Sequence, residues 1–206
     1  MMKKISLTAG AVVVLASCAS TASAPSREET MQVVKSSFKD RGIAKVDRLD
    51  QTELQRACSE AALDKKDLPK DVRERLERQQ MSTIKYPADG KFLGDFKAGE
   101  RVAQTGVGLQ WTDSEKTVNG GNCYACHELT AQEISFGNIG PSLKGYGKLR
   151  GNSEAVVKYT WGKIWNTHAF NACSQMPRFG DAGILTEAQI KDVMALLLDP
   201  NSPVNK

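Results

Sequence analysis

Histidine is scarce in this sequence, and apolar runs long enough to span a membrane are missing. Only two of the 206 residues are histidines, and no second Cys-x-x-Cys or His-x-x-His set accompanies the one Cys-x-x-Cys motif. A structural zinc site needs four nitrogen or sulfur ligands, so this supply argues against one. Basic and acidic residues number 28 and 24 and are interleaved along the chain. That pattern is typical of solvated helix faces and excludes a nucleic-acid footprint.

Residues 1–24 have the features of an export signal. Lys3 and Lys4 precede an apolar run over 9–16, which is too short to cross a bilayer. Cleavage after residue 24 fits the small residues Ala22-Ser-Ala24. Cleavage after residue 17 fits Leu15-Ala-Ser-Cys18, which resembles the bacterial lipobox and makes Cys18 a candidate for lipidation. Both alternatives predict a periplasmic protein, which the second would anchor to lipid.

No strand pattern of convincing length and no internal repeat is present, so the sequence predicts an all-α protein. Over 25–85, capping signals and helical periodicity predict three charged helices, starting near residues 26, 51 and 69. These helices carry few large apolar residues, and we expect this extension to cover another surface. Further helices are predicted over 96–104 and 152–163 and in a last helix capped by Thr186, with a glycine-rich loop over 137–147.

The chemistry-bearing motif is Cys123-Tyr-Ala-Cys126-His127, whose spacing is used for covalent haem attachment. Two thiols on one turn reach the two vinyl groups of one porphyrin, and the next imidazole reaches the iron. A thioredoxin-type redox motif would require a βαβ context, which the helical pattern does not provide. We therefore predict one haem c, bonded to Cys123 and Cys126 and ligated by His127.

The sixth iron ligand has two candidates. Met176 precedes a proline in an irregular loop 49 residues after His127, which is the common distal arrangement of small cytochromes c. The alternative is His168, although an isolated histidine more often has a hydrogen-bonded structural role. A His/Met pair gives a closed iron with a raised potential, suited to moving single electrons.

Other residues near the predicted haem have less specific signals. A backbone carbonyl at Pro141 is expected to accept the second imidazole N–H of His127, although Gly-Pro is also a common turn. Tyr146, Trp161 and Trp165 are candidates to line the haem crevice, but ordinary core aromatics would look the same.

The cysteine count leaves one pair over. Once Cys123 and Cys126 bind haem and Cys18 is lipidated or removed, Cys58 and Cys173 remain. In an oxidising compartment a disulfide between them is expected. The alternative is two unpaired buried thiols.

Four motifs stand in a fixed order over 86–206. They are Gly121-Asn-Cys-Tyr-Ala-Cys-His127, Gly137-Asn-Ile-Gly-Pro-Ser-Leu143, Met176-Pro-Arg-Phe-Gly180 and an ending with Leu196-Leu-Leu-Asp-Pro200 and Ser202-Pro-Val-Asn205. Together they resemble the SoxX family, the monohaem subunit of the periplasmic SoxAX cytochrome of bacterial sulfur oxidation.

The resemblance implies a class I cytochrome c domain over 86–206 behind a helical extension. It implies that His127 and Met176 are the axial ligands and that this chain is a subunit of an L-cysteine S-thiosulfotransferase. A SoxA-type partner with a cysteine-ligated haem would couple thiosulfate to a cysteine of the carrier SoxYZ. This chain would relay the electrons to a downstream cytochrome, and no residue in it is assigned to catalysis.

Two other functions compete with the subunit. One is a free-standing periplasmic electron shuttle, and the other is a haem-based gas sensor or peroxidase. The helical extension, and a tail after Pro200 that we expect to be exposed, would both suit a chain that embraces a partner.

Overall fold

The computed structural model describes residues 24–206, and the regular elements in this range are helical. The α-helices are α1 (Arg27–Ser37), α2 (Glu53–Leu63), α3 (Lys70–Met81), α4 (Phe96–Gln104), α5 (Tyr146–Arg150), α6 (Glu154–Trp165) and α7 (Glu187–Leu198). Short 3₁₀ turns occur at Val46–Leu49, Cys123–Ala125, Thr167–Ala169 and Pro203–Asn205. No strand occurs among residues 24–206, and the all-α prediction is confirmed. None of the helices described is long and apolar enough to cross a membrane.

Side-chain caps explain where most of these helices begin. The side chains of Ser26, Thr52 and Thr186 each accept a hydrogen bond from a backbone N–H three residues on, and the Glu or Gln side chain at that position accepts one from the backbone N–H of the cap residue. These boxes satisfy N–H groups that a helix start leaves unpaired. The short helix α5 was not predicted, because it lies in the glycine-rich segment between Gly145 and Gly151, both with positive φ.

The chain divides into two compact units, residues 24–38 and 39–206. The first contains α1, which has no buried residue. The predicted boundary at 85/86, between extension and haem domain, lies within the second unit. The predicted signal segment, with Cys18, lies outside the described residues except for residue 24.

The main core lies where α4 crosses α7. Gly99 of α4 approaches so closely that an added Cβ would collide with the backbone carbonyl of Asp192 in α7. Nearby, the Gly94 N–H donates to the Lys191 carbonyl at 2.9 Å. The buried members of this core come from both helices and from the segments between them: Val102, Ala103, Tyr124, Leu129, Trp161, Ile164, Phe179, Leu185, Ile190, Val193, Met194, Leu196, Leu197, Leu198 and Val204.

Replacing Gly99 with alanine is expected to lower the free energy of unfolding by about 2 kcal/mol, because the two helix backbones must move apart to admit the methyl group. Chemical denaturation of the haem-loaded protein measures this change. Lys97→Ala, on an exposed position of the same helix, is the control and should change stability by less than about 0.5 kcal/mol. Equal stability of Gly99→Ala and the unmodified protein would contradict the close crossing.

The chain end corrects one expectation, since the tail after Pro200 is partly buried, although Asn201 and Lys206 are exposed. Ser202, Val204 and Asn205 each expose at most 1 % of their surface. The Asn205 Nδ2 donates to the Leu197 and Asp199 carbonyls at 3.0 and 2.9 Å, and the Ser202 hydroxyl donates to the Leu196 carbonyl. The carbonyls of Leu196 and Leu197 are among those that the end of α7 leaves without partners in the helix, and these bonds hold the tail against the core.

Candidate haem-binding site

The cysteine–histidine motif forms a single tight turn. Asn122 begins it in the left-handed region, with φ 46°, and residues 123–125 follow as a 3₁₀ turn. The backbone N–H groups of Cys126 and His127 both donate to the Cys123 carbonyl, at 3.1 and 2.9 Å. The turn therefore brings both thiols and the imidazole onto one short stretch of backbone.

Neither thiol of the motif is bonded to the other. Burial raises the pKa of the Cys123 thiol to about 12. Since the thiolate is the reactive form in thiol–disulfide exchange, this thiol is poorly suited to a redox cycle of the thioredoxin type. Two free thiols at this spacing instead fit the chemistry of covalent haem attachment.

A loop over 137–143 wraps around the motif. The N–H groups of Gly137 and Gly140 donate to the carbonyls of Tyr124 and Cys126, both at 2.8 Å. A Cβ at residue 140 would collide with the imidazole ring of His127, so only glycine lets the loop pass the ring this closely. Sequence reasoning did not identify Gly140 itself as a site residue, and its place directly before Pro141 was the available signal.

The His127 imidazole is oriented by this loop. Its Nδ1 lies 2.7 Å from the Pro141 carbonyl oxygen, at the position expected from the sequence. A carbonyl only accepts hydrogen bonds, so Nδ1 carries the proton and Nε2 keeps its lone pair. Such an imidazole is fixed in the tautomer that binds a metal, and the bond to the carbonyl raises its basicity. The donor set therefore fits a haem iron.

The other predicted ligand, Met176, lies in the loop between α6 and α7. It is partly buried and packs against the main core, as Cys123 does. Its N–H donates to the Ser174 hydroxyl at 3.2 Å. A thioether held at the edge of an apolar core is the environment expected of a distal haem ligand.

The three aromatic side chains predicted to line the haem crevice differ in how far they are buried. Trp161 is fully buried, and its Nε1 donates to the Lys85 carbonyl at 2.8 Å. A side chain that faced an open crevice would keep accessible surface, so Trp161 is a core residue. Tyr146 and Trp165 are only partly buried and, like Met176, pack against the main core.

His168 has a structural role. It is buried, and its backbone N–H donates to the Asn166 side-chain oxygen at 3.1 Å. Its ring Nε2 donates to the Ser174 carbonyl at 3.0 Å. The ring nitrogen is thus occupied by the same residue that holds the N–H of Met176. This arrangement disfavours His168 as the sixth ligand and makes it part of the support for the Met176 loop.

Acid is expected to weaken the fold through His168. Burial lowers its pKa, outweighing the opposite effect of its bond to Ser174, so the folded state disfavours the charged ring. The stability it contributes is present above the unfolded pKa of about 6.5 and is lost as pH falls below it, by up to about 1.4 kcal/mol per pH unit. Denaturation from pH 8 to 5 measures this slope, and His168→Gln should flatten it. An unchanged slope would contradict this assignment.

A disulfide joins Cys58 to Cys173, the pair left over by the cysteine count. Their Cα atoms are 5.5 Å apart, and the bond links residues separated by 115 positions. It ties α2 to the segment that precedes Met176. Leu54 and Leu76 pack against Ala172 beside it, so α2 and α3 cover the distal segment with a small core.

Comparison with known proteins agrees with this geometry. The family model described as cytochrome c matches residues 96–199, from the first residue of α4 to just beyond the end of α7. The chain belongs to the cytochrome c family. It is an all-α, class I cytochrome c, and membership implies covalently bound haem c and a role in electron transfer.

A relative adds a second comparison. The cytochrome is 42% identical over 130 residues to a protein of Aquifex aeolicus (strain VF5) named "Uncharacterized lipoprotein". The match covers 63% of this chain and 61% of the relative, so the chain spans about three fifths of that protein's length.

Proposed function

We propose that this cytochrome is the electron-transfer subunit of a periplasmic SoxAX-type thiosulfate-oxidising enzyme. The observation that carries the electron-transfer part is the His127 imidazole, held through Nδ1 by Pro141 with Nε2 free. The four SoxX-like motifs support the more specific assignment to sulfur oxidation. Three of them contain the residues proposed here to hold the haem, and the fourth includes the buried residues Ser202, Val204 and Asn205.

Each site residue has one task in this proposal. Cys123 and Cys126 would hold a single haem c through thioether bonds, and His127 and Met176 would ligate its iron. When bound, the haem supplies a reversible one-electron iron couple. Pro141 keeps the proton on Nδ1 of His127, while the Met176 thioether favours the reduced iron and raises the potential. With the iron ligated by both residues, this chain would carry electrons and would leave substrate binding to a partner.

The sulfur chemistry would take place on a SoxA-type partner. There a cysteine thiol of the carrier SoxYZ loses its proton and bonds to the terminal sulfur of thiosulfate, and two electrons leave. The electrons would pass one at a time through this chain to a downstream cytochrome.

The proposed location is the periplasm. The export signal and the lipobox-like residues before Cys18 support it. The name of the Aquifex relative, a lipoprotein, supports lipid anchoring through Cys18.

One observation favours the alternative of a free-standing shuttle. The tail is buried and helices α2 and α3 pack on Ala172 of the same unit, so neither is a free arm for embracing a partner. The shuttle would need no obligate partner and would reduce its acceptor directly.

Size-exclusion chromatography with a SoxA-type cytochrome from the same genome distinguishes the two functions. The SoxAX proposal expects one heterodimeric peak, and reduction of this chain's haem when thiosulfate and SoxYZ are added anaerobically. Omitting SoxYZ is the control and should leave the haem oxidised. Separate elution, with no thiosulfate-dependent reduction, would contradict the subunit role and favour the shuttle.

A further inference from the structure

We infer that helices α2 and α3 position the axial ligand Met176, through the Cys58–Cys173 disulfide and the Glu77 carboxylate. This rests on the proposed role of Met176 as a haem ligand. It assigns these parts of the extension a positioning function inside the cytochrome itself. The Met176 loop is defined here as residues 171–178.

The first half of the Met176 loop is attached to α2 and α3 at two adjacent residues. The Ala172 N–H donates to Glu77 Oε1 at 3.1 Å, and Cys173 is bonded to Cys58. Ala172 is itself 1 % exposed and packs on Leu54 and Leu76. The hydrogen bond and the apolar contact at Ala172 and the covalent bond at Cys173 therefore fix adjacent residues of the loop, four and three positions before Met176.

Ser174 carries this restraint toward the ligand. Its hydroxyl accepts hydrogen bonds from the Met176 N–H at 3.2 Å and from the Thr167 hydroxyl at 3.1 Å. Its carbonyl accepts the bond from His168 Nε2. Ser174 directly follows the disulfide, so movement of Cys173 would disturb the bonds that place the Met176 backbone.

The second half of the Met176 loop is anchored independently. Phe179 is 6 % exposed and belongs to the main core, and the Gly180 N–H donates to the Trp165 carbonyl at 3.1 Å. Arg178 and Asp181 form an ion pair at 2.8 Å. None of these contacts involves α2 or α3. Among the described residues, α2 and α3 contact the Met176 loop at Ala172 and Cys173.

The segment before the loop is held by the same part of the chain. Asn166 is fully buried, and its Nδ2 donates to the side chains of Gln80 and Thr83 at 3.0 and 2.9 Å. The Trp165 Nε1 donates to the Thr83 carbonyl at 3.1 Å. The end of α3 and the residues after it thus hold the start of the distal segment, while the disulfide and Glu77 hold its middle.

Removing these attachments should raise the population of states in which Met176 has left the iron. A local opening of the loop costs less free energy when the crosslink is absent, because the unbonded loop gains conformational freedom. Carbon monoxide reports such opening, since it binds ferrous haem only after the methionine leaves. In the folded Cys58→Ala/Cys173→Ala variant, we expect binding at least about tenfold faster than in the unmodified protein.

The experiment compares haem-loaded full-length variants by stopped-flow carbon monoxide binding and by the methionine–iron charge-transfer band of the ferric protein. Glu77→Ala should bind carbon monoxide about threefold faster, consistent with one lost hydrogen bond. Glu77→Gln keeps an acceptor oxygen and should restore the slow rate. Glu74→Ala is the matched control, because Glu74 lies on the same helix and forms an ion pair with Lys70 at 3.8 Å, away from the Met176 loop in sequence. Circular dichroism checks that each variant retains its helices.

Each outcome decides something different. Slow binding in the disulfide-free variant and in Glu77→Ala, with an unchanged band, would overturn the positioning role while leaving Met176 as the ligand. If the disulfide-free variant does not fold, the comparison of Glu77→Ala with Glu74→Ala decides alone. A missing band and fast binding in the unmodified protein would instead refute the proposed Met176 ligation.

Discussion

Replacing Met176 with alanine is expected to abolish the methionine–iron charge-transfer band of the ferric protein. The iron would then lack a sixth ligand from the protein, so the ferrous form should bind carbon monoxide rapidly. The reduction potential should fall by the order of 0.1 V, within the roughly 0.8 V range that axial ligands span, because a thioether favours ferrous iron. Optical spectroscopy and redox titration of the purified variant measure all three effects.

Two other methionines serve as controls for this variant. Met81 is 40 % exposed, and Met194 is fully buried in the main core. Met81→Ala and the volume-conserving Met194→Leu should both keep the band and the slow carbon monoxide binding. A band that survives in Met176→Ala would show that another residue ligates the iron and would return His168 to consideration.

Replacing Cys123 and Cys126 together with alanine is expected to eliminate covalent haem. The haem should then be extracted from the denatured protein by acidified organic solvent, and peroxidase staining of a denaturing gel should show no haem on the polypeptide. The reason is chemical, since each thioether bond requires its own thiol. An exported cytochrome that binds haem only through iron would also lose it to the medium.

The second cysteine pair provides the matched control. Cys58→Ala/Cys173→Ala removes the same number of sulfur atoms but leaves the Cys-x-x-Cys-His turn unchanged. It should retain covalent haem. Haem staining that persists in Cys123→Ala/Cys126→Ala, or is lost only in the control, would contradict the assigned attachment residues.

The helices were predictable because their signals are local. Thr186 with Gln189 marks the start of α7, and Phe96–Gln104 was predicted with the bounds the structure has. The attachment motif is local for the same reason, since one short turn places both of its cysteines and its histidine. The contact of Pro141 with His127 could also be anticipated, because a Gly-Pro pair after the attachment motif commonly supplies the carbonyl that accepts the imidazole N–H.

Contacts between segments that are far apart in the chain could not be predicted from the sequence pattern. Neither Glu77 nor Ala172 is marked by any motif, yet a hydrogen bond joins them across 95 positions. The tail was wrongly expected to be exposed throughout, because polar side chains are more often found at the protein surface. In the structure, the Ser202 and Asn205 side chains donate hydrogen bonds to the Leu196 and Leu197 carbonyls at the end of α7.

The two levels of the functional conclusion rest on different observations. Cytochrome c membership follows from the family match over 96–199, and it agrees with the helical fold. The sulfur-oxidation role rests on motif resemblance and requires a partner. The packing of α2 and α3 on Ala172 supports the proposal that part of the extension positions Met176.

The mass of the intact mature chain tests the central claim most directly. The account predicts the polypeptide plus one haem, less the two hydrogens lost in the Cys58–Cys173 disulfide, with the haem on the peptide that contains Cys123 and Cys126. The same spectrum shows whether the chain begins after residue 17, with lipid on Cys18, or after residue 24. A chain that carries no covalent haem, or carries it on any other peptide, would contradict the account.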